Sequence, residues 1–400
     1  METLSKYVFG TASPSEFMAG VIGRHYHIYR DASQLWRDVS LVDMERYLNQ
    51  CEGHLHTFIR VLDKGNDLHI PTEARFTQET QKAYIDRAYA GGATVKVEDY
   101  DSRHPVVAAM CRELEAFIGG NVYAMSFLTP AGQRGFPVHF DVADALIIQL
   151  EGSKHWKIYD KVIDSPTHAL NYRMSQSAEP APIDEFVLNK GDVLYIPSGV
   201  PHSALCTTEH SLHLSVGLNV WKPYQLLNFA VSLLTESLSS LRSPIYKNDA
   251  DNERRISAAI DEFCSKLKDV EPRKLLDSFE TSFNANRPEV NGQAMTNFSL
   301  AQAITQDTRV SRNHLKFAKL KKSGDKMRIF PSSTIRPGKS LLPASAYIEI
   351  PDVAETEIVA LLESSAPLKI SDIPGGLDIP SKLVLVQQLL RQGILSVAAH

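Results

Sequence analysis

The chain is poor in cysteine: Cys51, Cys111, Cys206 and Cys264 are the only four in 400 residues, and they are widely scattered. No pair has the spacing of a zinc site, no disulfide framework suggests itself, and a reducing compartment fits. No apolar run reaches the roughly 20 residues that a membrane-spanning helix needs. The opening Met-Glu-Thr-Leu-Ser-Lys has no signal-peptide core. A cytoplasmic protein without a membrane partner is expected. Neither sign of charge dominates, with 42 Lys and Arg against 47 Asp and Glu, and the net charge of −5 gives no global argument for nucleic acid. No phosphate-binding glycine loop, nucleophile elbow or internal repeat stands out.

What is present is a globular composition, 43% hydrophobic over 400 residues, enough for two or three domains and a sizeable core. Two stretches organise it: Pro137-Val-His-Phe-Asp141 and Gly191-Asp-Val-Leu-Tyr-Ile-Pro-Ser-Gly-Val-Pro-His202. His139 and Asp141 are two apart, so on a strand or at its end they share a face. His202 follows a strand-like Val193–Ile196, which Pro197 stops, with Gly199 and Pro201 shaping the turn. Two imidazoles and one carboxylate are the facial triad of non-haem iron(II) oxygenases. Between them lie Ala145–Leu150, read as an apolar strand, Glu151-Gly-Ser153, read as a turn, and Lys154–Tyr159, read as a second strand. A double-stranded β-helix needs such segments to bring its ligands together at one barrel mouth.

At Val138-His-Phe-Asp-Val-Ala-Asp144 and Leu150-Glu-Gly-Ser-Lys-His-Trp156 the chain resembles the JmjC-type, cupin-like 2-oxoglutarate oxygenases, in particular the ribosomal oxygenase branch that hydroxylates protein side chains. The resemblance implies an α+β fold: a double-stranded β-helix (cupin/JmjC jelly roll), a helical dimerisation region and a C-terminal winged-helix-like domain. The expected divisions are 1–221, 222–298 and 299–400. It further implies Fe(II) and 2-oxoglutarate as cofactors, with His139, Asp141 and His202 on the metal. Lys154 would hold the distal carboxylate of 2-oxoglutarate, and Thr129 is a candidate donor to it. From the residues alone Lys154 reads as a surface lysine beside a turn. Relatives often place a tyrosine two positions before that threonine and an asparagine two before that; Phe127 and Met125 stand here. Either Tyr123 or Ser126 compensates, or the pocket is built differently. Trp156 shares a face with Lys154 and lines the pocket or the core. If Leu212, Leu214 and Val216 face the core, His213 and Ser215 face the lumen, where they would stand behind a metal ligand or touch the substrate.

Around this centre, Ser13-Pro14 opens a helix with Phe17, Val21 and Ile22 at helical spacing. Arg24–Tyr29, Thr57–Leu62, Thr94–Glu98, Asn121–Leu128 and Ser211–Leu218 read as strands. Pro105 starts a helix with Val107, Met110, Cys111, Leu114 and Phe117 on one face, ended by Gly119-Gly120. Residues 160–190 read as a variable connection. From Lys222, Leu226, Leu227, Ala230, Leu233 and Leu234, and then Ile256, Ile260, Phe263 and Leu267, recur at helical spacing. A helix beginning at Leu300, strands over 341–350, helices at 355–362 and 381–392, and short strands at 368–370 and 393–397 outline the winged helix. Between Arg309 and Lys339 there are ten Lys/Arg (309, 312, 316, 319, 321, 322, 326, 328, 336 and 339), and Asp325 is the only acidic residue. Such a stripe suits nucleic acid or, more simply, a solvated face.

The expected function is an iron(II)- and 2-oxoglutarate-dependent hydroxylase of a protein or peptide side chain, with succinate and CO2 as co-products, acting as a homodimer. Two alternatives remain: a tailoring hydroxylase of a peptide natural product or amino-acid-like molecule, and a non-catalytic cupin that binds nucleic acid or a partner through its C-terminal domain.

Overall fold

Two long strands, paired along their whole length, carry the N-terminal part of the molecule: β6 (Asp144–Ile158) and β9 (His202–Asn219). They are seen in a computed structural model that describes residues 2–72, 79–167, 181–285, 294–313, 316–331, 347–364 and 366–398. The chain divides into two compact units, 1–221 and 222–400.

In the first unit, short helical turns α1 (Glu2–Leu4) and α2 (Pro14–Glu16) precede β1 (His27–Tyr29). Then come α3 (Leu41–Gln50), β2 (Ile59–Asp63), β3 (Asn66–Leu68), α4 (Gln81–Ala90), β4 (Thr94–Val97), α5 (Pro105–Ile118) and β5 (Asn121–Pro130). After β6 follow β7 (Asp184–Asn189), β8 (Val193–Ile196) and β9. The nine strands form one antiparallel sheet in the order β1-β8-β6-β9-β5-β4-β2-β3, with β7 paired to β6. The first half of β6 pairs with β8 and its second half with β7, while β9 flanks both halves. This is the pairing of a jelly roll, in which two strands pass from one layer into the other.

Alternation sorts the side chains. Val122, Ala124 and Leu128 of β5, Leu146 and Ile148 of β6, and Leu212, Leu214, Val216 and Leu218 of β9 join one large core with the helices. Each of the valine, leucine and isoleucine side chains contributes about 1.5–3 kcal/mol on burial. The odd-numbered residues of β5, and those of β9 from Ser211 to Gly217, face the other way, into the lumen; below the register shift the even-numbered His202, Ala204 and Cys206 take that side. A smaller cluster there includes Ala145, Ile147, Trp156, Ile158 and Leu194. Helix α5 begins at Pro105, buries Val107, Met110, Cys111 and Leu114, and ends where Gly119 and Gly120 take φ of +75° and +95°.

Several expectations are corrected. Glu151-Gly152-Ser153 is not a turn between two strands. It lies within β6, at a bulge where the register against β9 shifts. Gly152 has φ +64°, and a Cβ there would sit 1.9 Å from the His210 carbonyl oxygen. The 160–190 connection is not all loop, since it contains β7; residues 168–180 lie outside the described residues. The N-terminal helix is only a turn, Pro14–Glu16, continued in wider π geometry over Phe17–Val21.

The second unit starts with α6 (Pro223–Ser237), α7 (Asn252–Lys268) and α8 (Pro272–Ala285). Phe229 of α6 meets Phe279 of α8 edge to face, with centroids 5.5 Å apart. Next come α9 (Ala294–Leu300), β10 (Arg309–Arg312), β11 (Ala318–Ser323), β12 (Lys326–Pro331) and β13 (Ile348–Pro351). The chain continues through α10 (Glu355–Glu363), β14 (Leu368–Lys369), α11 (Ile379–Arg391) and β15 (Leu395–Val397). Two small sheets result, β14-β10-β15 and β11-β12-β13. Val310, Ile329, Ile358, Leu361, Val386, Leu389 and Leu395 form their shared core with α10 and α11. The helix expected to begin at Leu300 ends there instead. Helix α8 and strands β10 to β12 had not been expected, and residues 341–346 lie outside the described ones. Across the expected division at 298/299, Lys319 of β11 reaches Asp277 and Glu280 of α8 at 2.5 and 2.9 Å.

The basic stripe is largely neutralised inside this unit. Besides Lys319, Lys321 pairs with Asp277, Lys322 with Glu355, and Lys326 and Arg328 with Glu349. These acids come from α8, α10 and β13, outside the 309–339 window, which is why the stripe looked unbalanced. Arg336 and Lys339 lie outside the described residues.

Candidate metal centre

His139, Asp141 and His202 each offer a ligand atom, and these atoms lie within 4.8 Å of one another. His202 is the first residue of β9. His139 reaches it through an isolated antiparallel bridge: His202 N–H donates to His139 O at 2.8 Å, and His139 N–H to His202 O at 3.2 Å. Gly199 N–H donates to Asp141 O at 3.0 Å. The three ligands are therefore set by backbone pairing between two loops. Each imidazole places Nδ1 against a carbonyl, His139 on Pro137 at 2.9 Å and His202 on Val200 at 3.1 Å. A carbonyl only accepts, so Nδ1 carries the proton in both rings and Nε2 keeps its lone pair for a metal. Burial, and then His139 beside it, push His202 down to about 4, so its ring is neutral at ordinary pH. His202 Nε2 lies 3.8 Å from Asp141 Oδ2. Two imidazoles and a carboxylate suit a divalent ion of the iron type.

Asp144 steadies the loop that delivers His202. Its carboxylate accepts from Ser198 N–H at 2.8 Å and from the Tyr195 hydroxyl. That hydroxyl in turn accepts from Gly23 N–H at 2.6 Å.

The other lumen residues form a polar floor. Lys154 is buried, and its Nζ donates to Thr129 Oγ1 at 3.0 Å. Among the described residues no carboxylate lies within ion-pair distance of it. Desolvation lowers its pKa to about 7. Thr94 Oγ1 also donates to Thr129 Oγ1, at 3.2 Å. With two donors already on its oxygen, the Thr129 hydroxyl keeps its own proton for another acceptor. A desolvated ammonium without a counter-charge, next to a free O–H, fits a carboxylate ligand.

Trp156 lies beside His202, ring centroids 5.9 Å apart, and its Nε1 has no hydrogen-bond partner. Tyr123 lies over Gly217, where a Cβ would meet its ring at 2.4 Å. Burial, and then the Asp141 charge, raise the Tyr123 pKa, so its hydroxyl keeps its proton. Met125, Phe127, His213 and Ser215 fall on the same lumen-facing rows. Ser126 does not: it points to the opposite face, 3.9 Å from Met44 Sδ of α3. It is not a pocket residue. Strand parity relative to Thr129 carries this signal. Thr94, Gln149 and Ser211 were missed. Gln149 Nε2 donates to Ser211 Oγ at 2.8 Å, and Ser211 pairs with Thr129 across the strands. Their signal is a polar side chain at alternate positions of an otherwise apolar strand.

A family model described as JmjC domain matches residues 101–226. Mouse ribosomal oxygenase 2 is 30% identical over 240 residues, 57% of this chain and 44% of that protein. The bifunctional lysine-specific demethylase and histidyl-hydroxylase NO66 of Dictyostelium discoideum is 32% identical over 234 residues, 55% of this chain and 44% of that one. Each match therefore spans less than half of the relative. The Escherichia coli ribosomal oxygenase YcfD superposes with a TM-score of 0.61 at 16% identity, covering 98% of this chain and 100% of that chain. A structure of YcfD with cobalt and 2-oxoglutarate gives 0.59, again at 16% identity, over 97% and 99%. At such identity the likeness is one of fold.

Proposed function

Because residues 101–226 of this chain match a JmjC domain model, we propose that the protein is an iron(II)- and 2-oxoglutarate-dependent oxygenase that hydroxylates a side chain of a protein or peptide. The observation that carries this reading is one lumen holding both the His139–Asp141–His202 cluster and the buried, carboxylate-free Lys154. When bound, iron and 2-oxoglutarate supply the oxidising chemistry, in which O2 is divided between the substrate hydroxyl and the succinate formed with release of CO2. The chain's own residues bind and orient. The two Nε2 atoms and the Asp141 carboxylate would hold the metal. Lys154 and Thr129 would hold the far end of the 2-oxo acid. Trp156 walls the metal side and keeps water out. The names of the curated relatives make a ribosomal protein the first substrate to try.

Three further readings accompany it. The exposed Tyr224, Leu227 and Val231 on one face of α6, with Ile256 and Ile260 on α7, support a homodimer. Helices α10 and α11 with the β14-β10-β15 sheet support a winged-helix-like module. A cytoplasmic location is the third; separately, none of the described helices is long and apolar enough to cross a membrane.

The test is succinate formation from 2-oxoglutarate by the iron-loaded chain, wild type against His139→Ala, with and without cell extract. Triad-dependent turnover stimulated by a protein or peptide fraction, with an added oxygen on a peptide, supports the reading. Stimulation by small molecules alone would move the assignment to a tailoring hydroxylase. Absence of iron binding and of turnover would sink it.

A further inference from the structure

A third imidazole lies in the lumen, outside the ligand cluster. His213 of β9 stands between Phe127 of β5 and Gln149 of β6. Its ring lies flat on Phe127, with centroids 5.0 Å apart and planes 4° from parallel. Trp156 meets it edge-on at 6.0 Å. Lys96 Nζ lies 5.7 Å from the Phe127 centroid, so the stack is pinned from a third strand. This ring is held in one orientation. It is 4% exposed, yet its Nδ1 has no hydrogen-bond partner. An unpaired buried nitrogen costs about 1–3 kcal/mol. A phenylalanine or leucine would fill the space without that cost, so packing does not explain the imidazole.

Its neighbours indicate what it serves. Two residues earlier on the same face, Ser211 stands opposite Thr129, the residue that receives Lys154 Nζ. Lys154 is close enough for its charge to join burial in keeping the His213 ring neutral. A neutral imidazole has one N–H to give. A carboxylate has about four lone-pair sites, and Lys154 and Thr129 fill only part of them. A carboxylate taken into so dry a pocket needs the remainder filled.

We propose that His213 is a third donor to the distal carboxylate of the 2-oxo acid, and that with Lys154 and Thr129 it selects a diacid over a monoacid. The proposal rests on the oxygenase reading.

The test is calorimetric titration of the cobalt(II)-loaded full chain with 2-oxoglutarate and with 2-oxobutyrate, which shares the metal-binding end but lacks the distal carboxylate. His213→Phe keeps a flat ring on Phe127 and removes the donor. It should weaken 2-oxoglutarate about 10- to 100-fold and leave 2-oxobutyrate unchanged, while His213→Gln recovers most of the loss. Equal weakening of both acids would mean a purely structural role, and unchanged 2-oxoglutarate affinity would mean no contact; either overturns the proposal. A second readout needs no variant. In zinc(II)-loaded wild type carrying 15N-histidine, 2-oxoglutarate should protect one further imidazole N–H from exchange and 2-oxobutyrate should not. If neither acid protects an N–H, or both do, the proposal fails. Wild type that binds neither acid would instead bring down the oxygenase reading itself.

Discussion

Lys154 Nζ lies 3.0 Å from Thr129 Oγ1, inside a lumen where no described carboxylate answers its charge. Burial lowers its pKa from 10.5 to about 7. Between those values the unfolded chain binds a proton that the folded chain does not, so stability rises with pH in this window. The contribution of this group is at most about 1.4 kcal/mol per pH unit. Denaturant unfolding of the metal-free protein from pH 7 to 10 should show this rise, and Lys154→Met should flatten it. Bound 2-oxoglutarate should flatten it too, by keeping the ammonium charged. The same variant should weaken 2-oxoglutarate on the order of 100-fold, because the carboxylate would be left buried and unpaired.

Gly152 sets where Lys154 stands. The bulge it forms shifts β6 against β9 between Gln149 and Lys154. Gly152→Ala places a Cβ 1.9 Å from the His210 oxygen at a φ of +64°. The expected cost is about 2–4 kcal/mol, since both the contact and the backbone angle are wrong for alanine. A shift of the unfolding midpoint, with weaker 2-oxoglutarate binding in the fraction that folds, would check it. A midpoint within experimental error of wild type would show that the bulge tolerates a side chain.

Asp144 acts on the metal through His202. Asp144→Ala frees Ser198 N–H and the Tyr195 hydroxyl, both buried. Metal affinity should fall about 10- to 100-fold, as expected for loss of a group that orients ligands. Tyr195→Phe keeps the Ser198 contact and should lose less. Cobalt(II) titration followed by its absorption bands measures both, and equal affinity in all three proteins would refute the positioning role.

Much of this site is legible from period-two alternation. Leu212, Leu214 and Val216 against His213 and Ser215 announce two faces before any coordinates are seen. The same rule applied to β5 would have rejected Ser126, whose parity differs from that of Thr129 and Tyr123. The bulge at Gly152 is a different matter. Glu-Gly-Ser has local turn chemistry, and only its pairing with β9, more than fifty residues away, makes it a kink inside one strand. The same holds for the basic stripe. Its lysines are read from one window, while the acids that answer them, Asp277, Glu349 and Glu355, come from elements on both sides of it. Strand β12 hides in that window because only Met327 and Ile329 turn inward between charged neighbours.

That neutralisation makes a prediction about nucleic acid. Lys319 and Lys321 converge on Asp277, at 2.5 and 2.6 Å. A cation already answered by a carboxylate gains little by meeting a phosphate and releases few counterions when it does. At about 150 mM salt the wild-type chain should bind single-stranded RNA only weakly, with a shallow dependence on salt. Asp277→Ala frees Lys321, while Lys319 keeps Glu280 at 2.9 Å, and should steepen that dependence by about one charge's worth. Because the pairs lie near the surface, it should cost only about 1 kcal/mol of stability or less. Fluorescence anisotropy of a labelled RNA across a salt series would decide the matter. Tight, steeply salt-dependent binding by the wild type would return the C-terminal unit to the role of a nucleic-acid module.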